Sequence, residues 1–203
     1  KSPTFYLLAL AMICLGIVSS GIMVHIPNYL TLLGMNYGVI VAVLSFAAIF
    51  GTLLNGMLFD KTGPIGGMLV TTILLVLGAI CLFLVGKVPA LAYVMAVAVG
   101  FSICVANTGP PLMTSAMYGM KDYSILFGIQ YAMFLGGCVF GPAISGFVFN
   151  KSDSYNLVWI LFVLISILMF VCIIFAVAGA RKLMKTEAAK LSPAANEGQP
   201  KAE

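Results

Sequence analysis

Few residues in this sequence can do chemistry, and most of them sit in apolar surroundings. The richest segment is Asn107-Thr108-Gly109-Pro110-Pro111. Proline has no N–H, so two of them in a helix free the carbonyls of Ala106 and Asn107. With the Asn107 amide and the Thr108 hydroxyl, these groups can hold a solute by hydrogen bonds. A proline kink that only shapes the helix is the competing reading. His25 is the single histidine, the residue type whose ordinary protonation range lies near neutrality. It suits either a proton relay or a neutral hydrogen bond between helices, with Ser19, Ser20 and Asn28 as candidates for the same face. Gln130 and Tyr131 form a third polar spot, where an amide either meets solute or links helices.

None of these groupings makes a catalyst. A nucleophile needs a base beside it, and a metal needs several ligands. The long apolar runs contain no Asp or Glu, and the lone His has no carboxylate to work with. Cys14, Cys81, Cys104, Cys138 and Cys172 all lie inside apolar runs without a CxxC pair, so they read as small hydrophobes. No enzyme, cofactor or metal is expected. Asn150-Lys151-Ser152 matches a glycosylation sequon, but so short a match arises by chance.

These residues are held by an unusually apolar chain. Of its 203 residues 62% are apolar and 8% charged, against roughly 45–50% and ~25% in a soluble domain. Too few charges remain to keep a globule soluble or to neutralise a nucleic-acid backbone. The charges that exist act as punctuation. Charge-free stretches run over Ser2–Phe59, Thr62–Gly86, Val88–Met120, Tyr123–Asn150 and Ser154–Ala180. A bilayer crossing takes about 20 apolar residues, so the first stretch holds two spans, divided at Leu33-Gly34-Met35-Asn36. The expectation is an all-α membrane protein with six spans near 5–31, 37–59, 66–86, 89–118, 123–149 and 156–180. Barrel strands need only ~10 residues, far fewer than these runs contain.

The chain opens Lys1-Ser2-Pro3 rather than on Met, which suggests a start inside a longer protein. Its first apolar run exceeds the ~7–15 residues of a signal core and lacks a small-residue cleavage site. Residues 1–180 are expected to form the membrane bundle and 181–203 a disordered cytoplasmic tail. Six spans put both termini on one side with Lys1, Lys61, Lys121, Arg181, Lys182, Lys185, Lys190 and Lys201; Lys87 and Lys151 lie opposite. That asymmetry makes the termini cytoplasmic. Arg181-Lys182-Leu183-Met184-Lys185 is a stop-transfer flank that can touch anionic lipid. Tyr29, Tyr37 and Tyr118, near span ends, read as interfacial anchors.

The chain also repeats itself. A shift of 90 residues aligns the run from Gly51 through Gly56 and Phe59 to Lys61 with the run from Gly141 through Gly146 and Phe149 to Lys151. The second and fifth spans therefore correspond, and the unit is three helices, over about 5–86 and 89–180. An odd unit inverts its second copy in the membrane. The first helix of each unit carries internal Pro and polar residues, the second is glycine-rich, and the third is nearly all apolar. The third helices are expected to face lipid, leaving the first two of each unit to line a polar cavity.

Six spans in two inverted triplets resemble half of a major facilitator superfamily transporter. Gly56-Met57-Leu58-Phe59-Asp60-Lys61-Thr62-Gly63 is similar to that family's G-x-x-x-D-R/K-x-G loop, which braces its cytoplasmic gate. The match implies gate roles for Gly56, Asp60, Lys61 and Gly63, with Asn55 in the gate's packing. Pro64-Ile65 replaces the family's basic pair and points to the C-terminal half, as does the trailing tail. Lys121-Asp122-Tyr123-Ser124, Phe127-Gly128, Gly136-Gly137, Gly141-Pro142, Gly146 and Ser154-Tyr155 resemble the oxalate–formate and monocarboxylate branch. That branch implies an organic-anion substrate held by basic residues within the spans. Here Thr52 stands in the region where an Arg is expected, and the fifth span has no Lys.

The resemblance implies secondary active transport of a small solute by alternating access, in the plasma membrane. Its partners are lipid, a missing N-terminal six-helix half and the solute. The solute-cavity candidates are Asn107, Thr108, His25, Ser20, Asn28, Gln130 and Tyr131. The alternative is a six-span scaffold or assembly protein with no transport cycle. The orientation is testable by labelling. Single cysteines replacing Thr62 and Ser192 should be protected from an impermeant thiol reagent in intact cells, and one replacing Ser152 should react. Labelling at position 62 from outside would overturn the six-span topology.

Overall fold

The computed structural model describes residues 3–120 and 122–197, with side chains for 4–120 and 122–179. The described residues are helical throughout, apart from short turns. The helices are α1 (Pro3–Leu32), α2 (Tyr37–Leu84), α3 (Leu91–Ile103), α4 (Val105–Tyr118), α5 (Tyr123–Ser152) and α6 (Tyr155–Glu197). Five helical stretches are long and apolar enough to cross a bilayer, with α3 and α4 forming one of them. Most expected boundaries fall within a few residues of those observed. The charged or turn-forming residues that interrupt the apolar runs also end the helices.

Two elements differ from expectation. The first is α2, whose 48 residues cover both the second and third expected spans. Its backbone leaves helical geometry at Gly63, with φ 74° and ψ 167°, a conformation that an L side chain rarely adopts. Pro64 follows, with the fixed φ that suits a first helical turn. Gly63 divides α2 into two limbs that return alongside each other. Leu44 in the first limb meets Gly100, while Gly78 in the second meets Val99, so adjacent residues of α3 touch both. Phe59 closes the bend against Gly67, whose added Cβ would lie 2.7 Å from the ring.

The second difference is α6. It continues as helix to Glu197, where a disordered tail is expected from 181. Arg181, Lys182, Leu183, Met184, Lys185, Glu187 and Ala188 are good helix formers, and they extend a helix already nucleated in the bundle. Residues 198–203 lie outside the described residues.

The core centres on α1, where Leu8, Met12, Ile22, Ile26 and Leu30 are fully buried. It packs on α5 and α6 through glycines. Gly16 meets the Phe134 carbonyl, Gly137 the Ile13 carbonyl, Gly141 the Ile17 carbonyl, and Gly21 the Phe162 ring. Small residues let helix backbones touch, which is how helices associate without a hydrophobic drive between them. The pairing of α2 with α3 uses the same device, with Gly100 on the Leu44 carbonyl and Gly51 on Phe101. The two sets share a register. Leu44 and Phe134 are 90 residues apart, as are Gly51 and Gly141; Gly16 and Gly100 are 84 apart, as are Ile17 and Phe101.

The apolar third helices are not wholly exposed. The second limb of α2 buries Met68, Thr71, Thr72, Leu75, Gly78, Ala79 and Leu82 and exposes Val70, Ile73, Leu77 and Ile80. α6 likewise buries Val158, Trp159, Phe162, Met169, Ile173 and Ala176. Each presents one helical stripe to the core, as a 3.6-residue period requires.

The glycine contacts generate a paired prediction. Gly137→Val places atoms against the Ile13 carbonyl and the Gly16 backbone and should cost about 1–3 kcal/mol as overpacking. Gly146→Ala enters open space and should be neutral or stabilising by up to ~1 kcal/mol through helix propensity. Melting temperatures of the detergent-purified variants check both. Equal stability of Gly137→Val and the parent would show that the α1–α5 contact is not tight.

Candidate functional site

A depression of about 430 Å³ lies halfway along the helices, lined by Ser19, Ser20, Met23, Ala48, Thr52, Ile103, Cys104, Ala106, Asn107, Thr108 and Cys138. Its walls are α1, the first limb of α2, the junction of α3 with α4, and α5. No residue of α6 or of the second limb of α2 reaches it.

The junction of α3 and α4 carries the most polar wall. The helix is interrupted at Cys104, whose carbonyl accepts from the N–H groups of both Asn107 and Thr108, each at 3.3 Å. Those shared, long bonds are where the helix adjusts to Pro110 and Pro111 one turn later, since a proline ring crowds the carbonyl four residues back. The adjustment leaves the Asn107 side chain exposed at the depression. Opposite, the Thr52 hydroxyl donates to the Ala48 carbonyl at 2.9 Å and lies 3.1 Å from the Cys104 sulfur. The Cys104 thiol donates to the same carbonyl at 3.0 Å. The Ser19 hydroxyl donates to the Leu15 carbonyl at 2.6 Å and that of Ser20 to the Gly16 carbonyl at 2.8 Å. Thr108 donates to the Cys104 carbonyl at 3.2 Å. All lining side chains are uncharged.

The candidates read from the sequence separate into groups. Asn107, Thr108 and Ser20 line the depression together. His25 does not. Its Nδ1 lies 3.3 Å from the Tyr155 hydroxyl and its Nε2 3.4 Å from the Pro142 carbonyl, so it ties α1 to α6 and α5. Around it Tyr29, Phe149, Tyr155 and Trp159 form an aromatic cluster, with ring centroids 4.3–5.4 Å apart. Tyr29 is buried there rather than standing as an interfacial anchor. Asn28 is exposed at the same end. Gln130 is fully buried, with Nε2 donating to the Phe5 carbonyl at 3.4 Å; it links α5 to α1. Tyr131 stacks in a file between Phe127 and Phe134.

The segment Gly56–Gly63 lies at the bend of α2. Asp60 and Lys61 are exposed, and a Cβ at Gly56 would meet nothing. Gly63 supplies the positive φ of the turn. Asn55 is buried, its Nδ2 donating to the Phe101 carbonyl at 2.9 Å, so it fastens the first limb of α2 to α3.

Sequence reasoning missed Cys104 and Cys138 as lining residues. It noted Thr52 only for the charge it lacks. The available signal was the recurrence of small hydroxyl or thiol residues near the centre of each cavity helix. Two other hollows are less suited to a solute. One, of about 560 Å³, lies at the end holding Lys87, Asp153 and Tyr155. The other, about 550 Å³ between α3 and the second limb of α2, is lined by Leu74, Tyr93, Val94, Val97, Ala98 and Phe101 and offers almost nothing to bond.

A sequence model of the Major Facilitator Superfamily matches residues 8–203. No curated protein matches the chain.

The His25 contacts are long, near the limit of a hydrogen bond. His25→Leu should therefore cost only about 1 kcal/mol, read as a small fall in melting temperature. A collapse of folding would assign His25 a larger structural part.

Proposed function

The chain belongs to the Major Facilitator Superfamily, whose members are membrane transporters rather than enzymes, and from that premise we propose that it carries a small solute by alternating access as one half of a larger carrier. The observation that carries this reading is an uncharged, mainly apolar depression with a few hydroxyl, thiol and amide groups, shared by four helical segments halfway along their length. Polar side chains and shared carbonyls at that depth are tolerated where they face protein or a wet cavity. A small solute bound there would be within reach of both membrane faces if the bundle rocks against a second one.

The six-span count is part of the proposal. It is supported by the bend at Gly63, which lets α2 cross twice, and by the Tyr29 hydroxyl, which lies 3.3 Å from where a Gly86 Cβ would stand. The ends of α1 and of the second limb of α2 thus meet on one side. The inverted repeat is supported by the glycine contacts. Gly16 on the Phe134 carbonyl and Gly141 on that of Ile17 correspond to Gly100 on the Leu44 carbonyl and Gly51 on Phe101. Each joins the first helix of one unit to the second helix of the other.

A second bundle is supported by unequal burial. In the most apolar window of α5 22% of residues are buried, against 61% in α1. The first limb of α2 exposes Phe46, Ile49, Phe50, Leu53, Leu54 and Met57. These two segments border the depression and have the most surface to offer an N-terminal half. The distribution of basic residues supports cytoplasmic termini, with 181–203 as a cytoplasmic tail; the family resemblance implies the plasma membrane. In this arrangement Asp60, Lys61 and the Gly63 turn stand at the cytoplasmic gate. The oxalate–formate resemblance supports an organic anion, although no lining residue bears a positive charge.

Asn107→Leu in the full-length carrier should lower uptake at least tenfold while leaving membrane expression near normal. An apolar side chain of similar size removes the polar contact without orphaning a buried group. Unchanged transport kinetics would return Asn107 to a helix-shaping part and remove the main support for the cavity.

A further inference from the structure

The oxygens of the depression have their protons already committed. Ser19, Ser20, Thr52 and Thr108 each donate to the carbonyl four residues back in their own helix, at 2.6–3.2 Å. The Cys104 thiol donates to the Ala48 carbonyl. A hydroxyl has one proton and two lone pairs. With the proton turned back on its helix, what remains toward the depression is lone pairs. The uncommitted donors are the Asn107 amide, which has no side-chain partner among the described residues, and the weak thiol of Cys138. Lys, Arg and His are absent from the lining.

We propose that this wall binds a solute through the solute's own hydrogen-bond donors, so that the carried species presents ammonium or hydroxyl groups, not a carboxylate, to this half of the protein. The proposal rests on the transport reading above and replaces the organic anion implied by the branch resemblance. A carboxylate only accepts hydrogen bonds. It would find one amide and a weak thiol to donate to it, beside four hydroxyls whose protons are bonded within their own helices. Swinging a hydroxyl outward to serve it would forfeit an intrahelical bond, in surroundings where such bonds are stronger than in water. An ammonium has three donors and no acceptor. Hydroxyl oxygens from α1, α2 and α4 all line the depression as acceptors for it, with the Asn107 carbonyl oxygen as a further one. A polyol matches the same wall without charge.

The test uses the purified full-length protein in two measurements, thermal stabilisation by added solute and saturable uptake into liposomes. The probes are two- to six-carbon primary amines, polyols and monocarboxylates, compared class against class. The amine and polyol arms separate a charged from an uncharged donor. Stabilisation and uptake by one of them are expected. Thr52→Val, which keeps the shape and removes the oxygen, should raise the half-saturating concentration tenfold or more. Ser20→Ala should act in the same direction and serves if Thr52→Val misfolds. Uptake of monocarboxylates alone would overturn the donor-bearing solute and leave the transport reading standing. Stabilisation by amines or polyols without uptake of any solute would support the acceptor wall and overturn transport. No response to any class would overturn both.

Discussion

Contact between helix backbones is the interaction on which this bundle depends. In hydrocarbon there is no water to satisfy a peptide group and no hydrophobic drive to press one apolar helix onto another. Helices must close to van der Waals distance, and only residues without a side chain permit that. Gly16, Gly137 and Gly141 join α1 to α5, and Gly51 and Gly100 join α2 to α3. Remove any of these approaches and the two halves of the bundle would separate by the width of a side chain. The depression between them would then change shape, because its lining residues lie one or two turns from those glycines. The packing that stabilises the protein and the geometry of its candidate site are set by the same few residues.

That coupling explains where polarity is allowed. Nearly every hydroxyl in the bundle bonds the carbonyl four residues back, Thr71, Thr72, Thr114, Ser145 and Ser166 as much as Ser20 and Thr52. Such bonds let a polar side chain enter an apolar span cheaply and bend the helix slightly. The residues that bond across helices are fewer, and apart from Thr52 and Cys104 on the wall of the depression they lie away from it. Asn55 ties α2 to α3, Gln130 ties α5 to α1, and His25 ties α1 to α5 and α6. Amides and imidazole thus act as fasteners between helices, while hydroxyls line the hollow. Asn107 is the exception, an amide left open where the helix is interrupted.

The fold was legible because its limits are written in charges and turn residues. The gaps between apolar runs gave helix ends correct to a few residues, and Pro110 with Pro111 marked the wall that carries Asn107. What escaped was whatever depends on azimuth around a helix. An apolar span has no amphipathic contrast, so nothing in the sequence around His25 or Gln130 tells whether they face a hollow or a neighbour. Both turn out to face neighbours. Cys104 and Cys138 were hidden for the same reason, as thiols in apolar runs look like packing. α6 runs on to Glu197 through a segment whose polar composition reads as a tail, because Lys, Glu and Ala extend a helix readily.

The aromatic cluster at the far end of α1 gives the protein a built-in optical reporter. Trp159 is the single tryptophan. It is fully buried and lies 5.1–5.4 Å from the rings of Tyr29 and Tyr155. An indole so deeply buried emits toward the blue end of its range, and the two tyrosines are near enough to pass it their excitation. The helices that carry these three rings, α1 and α6, meet at the end of the bundle where α5 also terminates. Any rearrangement that parts them admits water to the indole and breaks the tyrosine transfer together. Within these 203 residues its colour and its excitation spectrum therefore follow the state of that end of the bundle.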